Sequence, residues 1–289
     1  MVQSFVIFCS ALLVCVEAKA QSSTYQNPLN NNNSIQADFS KYGVQEFQVN
    51  NDSLQFLNSN SSFTVGAYEL KKKLSLLLDF SISIDVRLNA TNNYNLNPSG
   101  NPYGYLMTGF GFSLQSYSNS FSDYKNLTTV RLKRDNYYSG IYNFVSESMT
   151  YNDSRAENYN IGPKNQISDI TLKAEYSATN KTIYFYWKSK SGVSFVPLCS
   201  RNLANEWGVN GSENLTFLVL ALSDGVTSTL NDLTVKNLAL SSNDQNLFPN
   251  NVSLILQSSH DFSSWNPLFT NNVSETNSKA FYRLQIQKQ

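Results

Sequence analysis

The side chains best equipped for chemistry in this 289-residue chain are aromatics and amides, not nucleophiles or metal ligands. There is one histidine, His260, and there are three cysteines, Cys9, Cys15 and Cys199. A Ser or Cys nucleophile needs an imidazole base beside it, and His260 lies far along the chain from Cys199. Cys199 follows Phe195-Val196-Pro197-Leu198 and reads as a small buried hydrophobe. Zinc wants clustered His and Cys, which the sequence does not offer. Calcium asks only for Asp, Asn and carbonyl oxygen. The Asn-rich stretch 89–101 could supply those, so calcium is the one ion left open, and no other cofactor is indicated.

The 17 Tyr, 18 Phe and 3 Trp point elsewhere. An aromatic ring stacks on the C–H face of a sugar while Asn, Asp or Arg bonds its hydroxyls. By type, the candidate ligand-binding residues are Tyr94, Tyr103, Tyr105, Tyr138, Tyr142, Tyr184 and Tyr186, with Trp187 beside them. Along 182–187, Tyr184 and Tyr186 share one face, while Ile183, Phe185 and Trp187 share the other. The apolar set predicts the core, so the two tyrosines point outward. Among carboxylates, Asp79 and Asp85 fall on one strand face, but six residues of strand separate them by roughly 20 Å. That is too far for an acid–base pair. Asp85 and Arg87 read as a solvated ion pair.

These residues need strands to place them. Leu74, Leu76, Leu78, Phe80, Ile82, Ile84, Val86 and Leu88 alternate with polar residues, with only Leu77 out of phase. That predicts one long half-buried strand, or two with a bend. Leu106 to Leu114 alternates against Met107, Gly109, Gly111 and Ser113; the glycines predict close approach of another backbone, or a bulge. Hairpins are expected around Arg134-Asp135-Asn136, Ser177 to Asn180 and Lys188 to Gly192. Further strands are expected at 53–57, 63–68, 215–222 and 233–240, and one helical turn within 200–207. Ten or so short strands predict an all-β sandwich.

Charged residues make up 15% of the chain and the formal net charge is +0. With 38 Asn, 41 Ser and 16 Thr, the composition is β-rich and neutral. It lacks the basic excess of a nucleic-acid binder and the composition of a coiled coil.

Ser4 to Val14 is an apolar run followed by Ala18-Lys19-Ala20, the pattern of a secretory signal peptide cleaved near Ala20. The run is too short to span a ~30 Å hydrocarbon core, and no transmembrane segment is expected. Val14 stands where a lipoprotein anchor at Cys15 would want a small residue. Removing residues 1–20 leaves Cys199 alone, so no internal disulfide is expected. The expected location is secreted, or periplasmic or cell-surface. Eleven Asn-x-Ser/Thr patterns occur. Chance predicts about seven or eight in so Asn-rich a chain, and in a bacterium they would be unmodified.

Asp38-Phe39-Ser40, the Asp79 to Val86 strand, the glycine-bearing strand 106–114, Lys181 to Trp187 and the closing Leu233 to Leu240 stand in a familiar order. Over residues 37–240 the chain resembles the concanavalin A-like lectin/glucanase superfamily. The resemblance implies a jelly-roll β-sandwich of two antiparallel sheets, often with a glycan on one face. Leu254 to Trp265 and Phe281-Tyr282-Arg283-Leu284 resemble a C-terminal module of exported Gram-negative bacterial proteins, with Phe262 at its usual Leu. That resemblance implies bacterial origin and export.

Glycoside hydrolases of this fold often carry Glu-x-Asp-x-x-Glu, which places acid and nucleophile about 5 Å apart. No such motif occurs here. Lyases of this fold commonly use His and Tyr; the sandwich has no His, and a Tyr acid with an Arg such as Arg131 would be the remaining version. Tyr137 to Tyr142 reads first as a packed strand.

The expected organisation is a signal peptide (1–20), a flexible N-terminus (21–36), the concanavalin A-like sandwich (37–243) and a short C-terminal β module (244–289). The expected function is an exported, non-catalytic lectin-like domain binding a glycan or polysaccharide. A polysaccharide hydrolase or lyase with a cross-strand site, and a structural or adhesive surface protein, are the alternatives. Oligomeric state is left open.

Overall fold

Alternating apolar and polar residues become two stacked antiparallel sheets in the computed structural model. The structure describes residues 23–43, 47–50, 53–59, 63–89, 104–115, 126–137, 140–151, 154–160, 168–244, 252–259, 266–268 and 281–288. The expected signal peptide lies outside them.

Strands and helices are numbered in chain order. The first sheet runs β14 (Val196–Asn202), β13 (Thr182–Ser189), β12 (Asp169–Ser177), β7 (Phe80–Leu88), β16 (Ser228–Ser242), β4 (Ser53–Asn58), β3 (Phe47–Asn50). β4 pairs with the first half of β16, and β1 (Ser23–Asn27) pairs with its second half. The second sheet runs β11 (Ser154–Asn160), β10 (Gly140–Tyr151), β9 (Leu127–Tyr137), β8 (Tyr105–Ser113), β15 (Asn214–Asp224), β5 (Thr64–Leu70), β2 (Phe39–Gly43), with β6 (Leu74–Ser75) pairing the start of β15. A separate antiparallel sheet joins β17 (Val252–Ser259) to β18 (Asn266–Leu268) and β19 (Phe281–Lys288). Two short helices complete the described elements, α1 (Asn32–Asp38) and α2 (Leu203–Trp207).

The core is the set of inward residues of both sheets. On the first sheet these include Ile82, Ile84, Ile170, Leu172, Phe185 and Val235, and on the second Phe110, Phe112, Val130, Phe217 and Val219. Rings cross the gap: Phe80 lies 5.6 Å from Phe112, and Phe112 lies 6.5 Å from Phe185, between centroids. Phe80 stacks on Tyr176 at 5.0 Å. Each fully buried aromatic contributes about 1.5–3 kcal/mol of transfer free energy.

The predicted 74–88 strand is two strands in different sheets. β6 belongs with the second sheet and β7 with the first, and the break falls at Leu76 to Asp79. Leu77, the residue out of phase, is 68% exposed at that break. The glycine strand behaves as expected. A Cβ on Gly109 would stand 2.0 Å from the Val130 carbonyl oxygen, and one on Gly111 2.7 Å from that of Thr128. Only glycine lets β9 come this close to β8.

Three expectations change. Of the segment 21–36, expected to be flexible, residues 23–36 are built into the sandwich: β1 pairs with β16, and Leu29 and Ile35 are core residues. Its amides make the order local. Asn27 Oδ1 accepts from the Leu29 N–H, and Asn31 caps α1 by accepting from the Asn33 N–H. The turn expected at Arg134 to Asn136 lies further on, because β9 continues to Tyr137 and β10 resumes at Gly140. The Asp85–Arg87 ion pair does not form; Asp85 accepts instead from Thr171 Oγ1 at 2.7 Å and Asn237 Nδ2 at 2.8 Å. A carboxylate held by cross-strand neighbours has little to gain from a flexible Arg on its own strand.

Candidate functional site

The outward face of the second sheet gathers aromatic, apolar and cationic side chains. Register lines its residues up in cross-strand rows. Asp224, Tyr105, Asp135 and Tyr142 form the first row, and Leu222, Met107, Lys133 and Phe144 the second. Leu220, Gly109, Arg131 and Ser146 form the third. Leu218, Gly111, Thr129, Ser148 and Glu157 form the fourth, and Thr216, Ser113, Leu127, Thr150 and Arg155 the fifth. Gly109 and Gly111 carry no side chains in the middle of this pattern. A trough crosses these rows between the side chains of β15, β8, β9 and β10.

A cavity of about 220 Å³ opens there, several times the ~30 Å³ share of one water. Its apolar walls are Phe63, Tyr105, Met107, Leu127, Leu220 and Leu222; its polar walls are Thr129, Arg131, Ser148, Thr150 and Arg155. Phe63, just before β5, is 56% exposed. Leu127, Leu218 and Leu220 form an apolar cluster separate from the main core. Lys133 sits 4.9 Å from the Tyr105 ring centroid and 5.6 Å from that of Phe144.

The polar wall is a fixed network. Arg131 donates from Nε to Ser146 Oγ at 3.0 Å and from Nη2 to Glu157 Oε1 at 2.8 Å. Arg155 donates from Nε to Ser148 Oγ at 3.2 Å and pairs with the same Glu157 oxygen. Burial pulls the Arg131 guanidinium below its ordinary pKa, and Glu157 works against that shift. Thr129 is buried, and its hydroxyl has no hydrogen-bond partner among the described residues. Leaving such a group unmatched costs about 1–3 kcal/mol.

The predicted tyrosines separate. Tyr105 is on this groove, and register puts Tyr142 in its row, two strands away. Tyr184 and Tyr186 lie on the outward face of the first sheet, across the sandwich, where their alternation with Ile183 and Phe185 placed them. There Asn180 Nδ2 donates to the Tyr184 hydroxyl at 2.9 Å. Burial, then Glu175, raises the pKa of Tyr186. Tyr184 lines a second cavity, of about 430 Å³, with Asp79, Glu175, Ser241 and Asn243. Tyr94, Tyr103 and Tyr138 lie outside the described residues, as do His260 and all of the Asn-rich stretch except Asn89. Among the described residues no three His, Cys, Asp or Glu side chains cluster closely enough to hold a metal.

Sequence reasoning missed Phe63, Thr129, Arg155 and Glu157, and raised Arg131 only beside a tyrosine acid. A signal existed for part of this: Leu127, Thr129, Arg131 and Lys133 occupy one phase of β9, while Thr128, Val130 and Leu132 fill the other.

A second Arg–Glu cluster lies between the sheets. Glu147, 0% exposed, sits in the inward phase of β10. Its Oε1 accepts from Thr128 Oγ1 at 2.8 Å. Its Oε2 accepts from Asn158 Nδ2 at 3.1 Å, from Arg201 Nε at 3.0 Å and Nη2 at 2.8 Å, and from Cys199 Sγ at 3.4 Å. It ties β14 of the first sheet to β9, β10 and β11 of the second. Burial, reinforced by Glu147, pushes the Cys199 thiol well above the ordinary thiol range.

No protein-family model and no curated protein sequence matches the chain. Solved structures do. Peanut lectin with a 9mer peptide matches with a TM-score of 0.52 and 12% identity, over 77% of this chain and 97% of that one. Lectin I from Ulex europaeus, in complex with the methyl glycoside of α-L-fucose, matches with a TM-score of 0.49 and 14% identity, over 76% and 98%. A galectin-like fold protein from Bacillus subtilis gives 0.47 and 11%, over 75% and 94%. On the match to peanut lectin, the two-sheet sandwich has the legume lectin-like, concanavalin A-like fold. Among the described residues no helix is long and apolar enough to cross a membrane.

Proposed function

We propose that the trough on the second sheet binds a glycan without transforming it. The observation that carries this reading is the buried Thr129 hydroxyl, unmatched and lining the same cavity as the exposed Phe63 ring and Tyr105. A sugar ring would stack its C–H face on an aromatic wall. Its hydroxyls would meet Thr129, Ser148 and the Arg155 guanidinium. The lectin-like fold supports the reading, because the peanut protein it matches is named a lectin. The chain acts outside the cytoplasm in this reading, after removal of residues 1–20.

A glycan array with residues 21–289, repeated with and without calcium, tests it. Selective binding to one glycan class is expected, reduced at least tenfold by Phe63→Ala and by Thr129→Val. Binding to no glycan, or binding that both variants leave intact, overturns it. One observation favours the lyase alternative: Tyr105 and Arg131 line one cavity. Incubating the bound polymer with the protein and following the ultraviolet absorbance of an unsaturated product separates the two readings. A hydrolase is less supported, since no carboxylate lines the trough among the described residues.

A further inference from the structure

The charge of the trough is unbalanced. Two guanidiniums, Arg131 and Arg155, line it, and among the described residues no carboxylate does. A single carboxylate, Glu157, serves both of them through one oxygen. Among the described residues one negative charge stands against two positive ones, so a net cation faces the cavity. Lys133 stands one row from Arg131 toward Tyr105, over the Tyr105 ring. Asp224 stands in the Tyr105 row, at the end of the trough opposite Leu127 and Arg155. The positive end is therefore the end at Thr129, Ser148 and Arg155. The arrangement also holds its geometry: Arg131 is 5% exposed and anchored to Ser146, and Arg155 is anchored to Ser148. An anchored guanidinium loses less freedom when it binds an oxyanion, and its fork matches a carboxylate or sulfate oxygen pair.

We propose that the glycan taken by this trough is anionic, with its carboxylate or sulfate set against Arg155 and its ring toward Phe63 and Tyr105. The proposal rests on the glycan-binding reading of the same cavity. Uronate carboxylate and sugar sulfate share the chemistry that Arg155 recognises. Exposed cation–anion attraction weakens as the Debye length falls from ≈ 10 Å at 0.1 M salt to 3 Å at 1 M, so binding should be salt-dependent.

The test is calorimetric titration of residues 21–289 with four probes: polygalacturonate, its carboxyl-reduced neutral polymer, a sulfated galactan, and polyglutamate as a polyanion without sugar. The expected result is binding to polygalacturonate or to the sulfated galactan, with at least a tenfold loss for the reduced polymer. Arg155→Gln is expected to lower anionic binding at least tenfold, and Arg155→Lys to restore part of it. Preference for the uronate or the sulfate arm supports the proposal and names the group. Binding to the neutral polymer at equal strength, indifferent to salt and to Arg155→Gln, overturns the anionic inference and leaves glycan binding standing. Equal binding of polyglutamate overturns both, because charge alone would then be read. No binding to any probe overturns the anionic inference, and the array then decides the glycan reading. Arg155 is 55% exposed in its side chain, so its variants should fold, and circular dichroism checks that they do.

Discussion

Two arginine–glutamate clusters occupy opposite faces of the second sheet, on neighbouring strands, and they end differently. Between the sheets, the carboxylate is the hub. Glu147 accepts from Thr128, Asn158, Cys199 and Arg201, and it is closed to solvent. On the outward face the carboxylate is outnumbered. Glu157 serves Arg131 and Arg155 at once, and the cavity beside them keeps an unmatched Thr129 hydroxyl. The same pair of residue types therefore makes a fastener in one place and a receptor surface in the other. What separates them is whether donors and acceptors are used up within the protein.

The largest expected effect breaks the fastener. Glu147→Ala opens a gap and leaves Arg201, among the described residues, with only the longer 3.8 Å pairing to Glu206, and a buried pair broken from one side costs about 3–5 kcal/mol. Urea unfolding should show that loss in midpoint, while binding per folded molecule stays near that of the parent. Destabilisation under about 1 kcal/mol would mean that Glu206 or solvent satisfies Arg201, and the hub reading would fall. Next comes Gly109→Ala, whose methyl meets the Val130 carbonyl oxygen at 2.0 Å. Such overpacking costs about 1–3 kcal/mol, and it should also distort the trough, so thermal midpoint and glycan affinity fall together. Smaller still on stability is Arg155→Gln. An exposed change of this kind stays within about 0.5 kcal/mol, so it sharpens the contrast by touching binding and sparing the fold. A drop in melting temperature comparable to that of Glu147→Ala would make Glu157's cluster structural as well.

The smallest effect concerns the Cys199 thiol. Its folded pKa is raised, so the protonated form is favoured by folding. That contribution is complete below the ordinary thiol value of about 8.5 and is lost as pH rises above it. Native alkylation near that pH should run at least ~tenfold slower than in urea. Equal rates would show that the thiol is not held against Glu147.

The periodic features were readable from the chain because a strand has a fixed period. The break at Leu77, the outward Tyr184 and Tyr186, and the glycine approach of β8 to β9 each follow from local sequence. Partners across the sheets were not readable. Arg201 reaches Glu147 across 54 residues, and Arg131 reaches Glu157 across 26. No local pattern encodes such distances. A partial clue stood in β10, where Glu147 shares the apolar phase of Val145 and Met149, marking a carboxylate that needed a buried partner. The N-terminal segment misled for a different reason. Its Asn content reads as loop, yet short amide side chains close tight turns by bonding nearby backbone, which lets Leu29 and Ile35 reach the core.

The strand order also sets a timetable for synthesis. β15 and β16, which join the two parts of each sheet, come late in the chain, at residues 214–242. β7 and β8 each await one of them, and β1 at residue 23 finds its neighbour only when residue 242 has been made. A growing chain that ends before β15 holds β14-β13-β12-β7 and β11-β10-β9-β8 but lacks the strands that join them to β4 and β5. Closing loops of this length is slow, so each sheet is completed only near the end of synthesis.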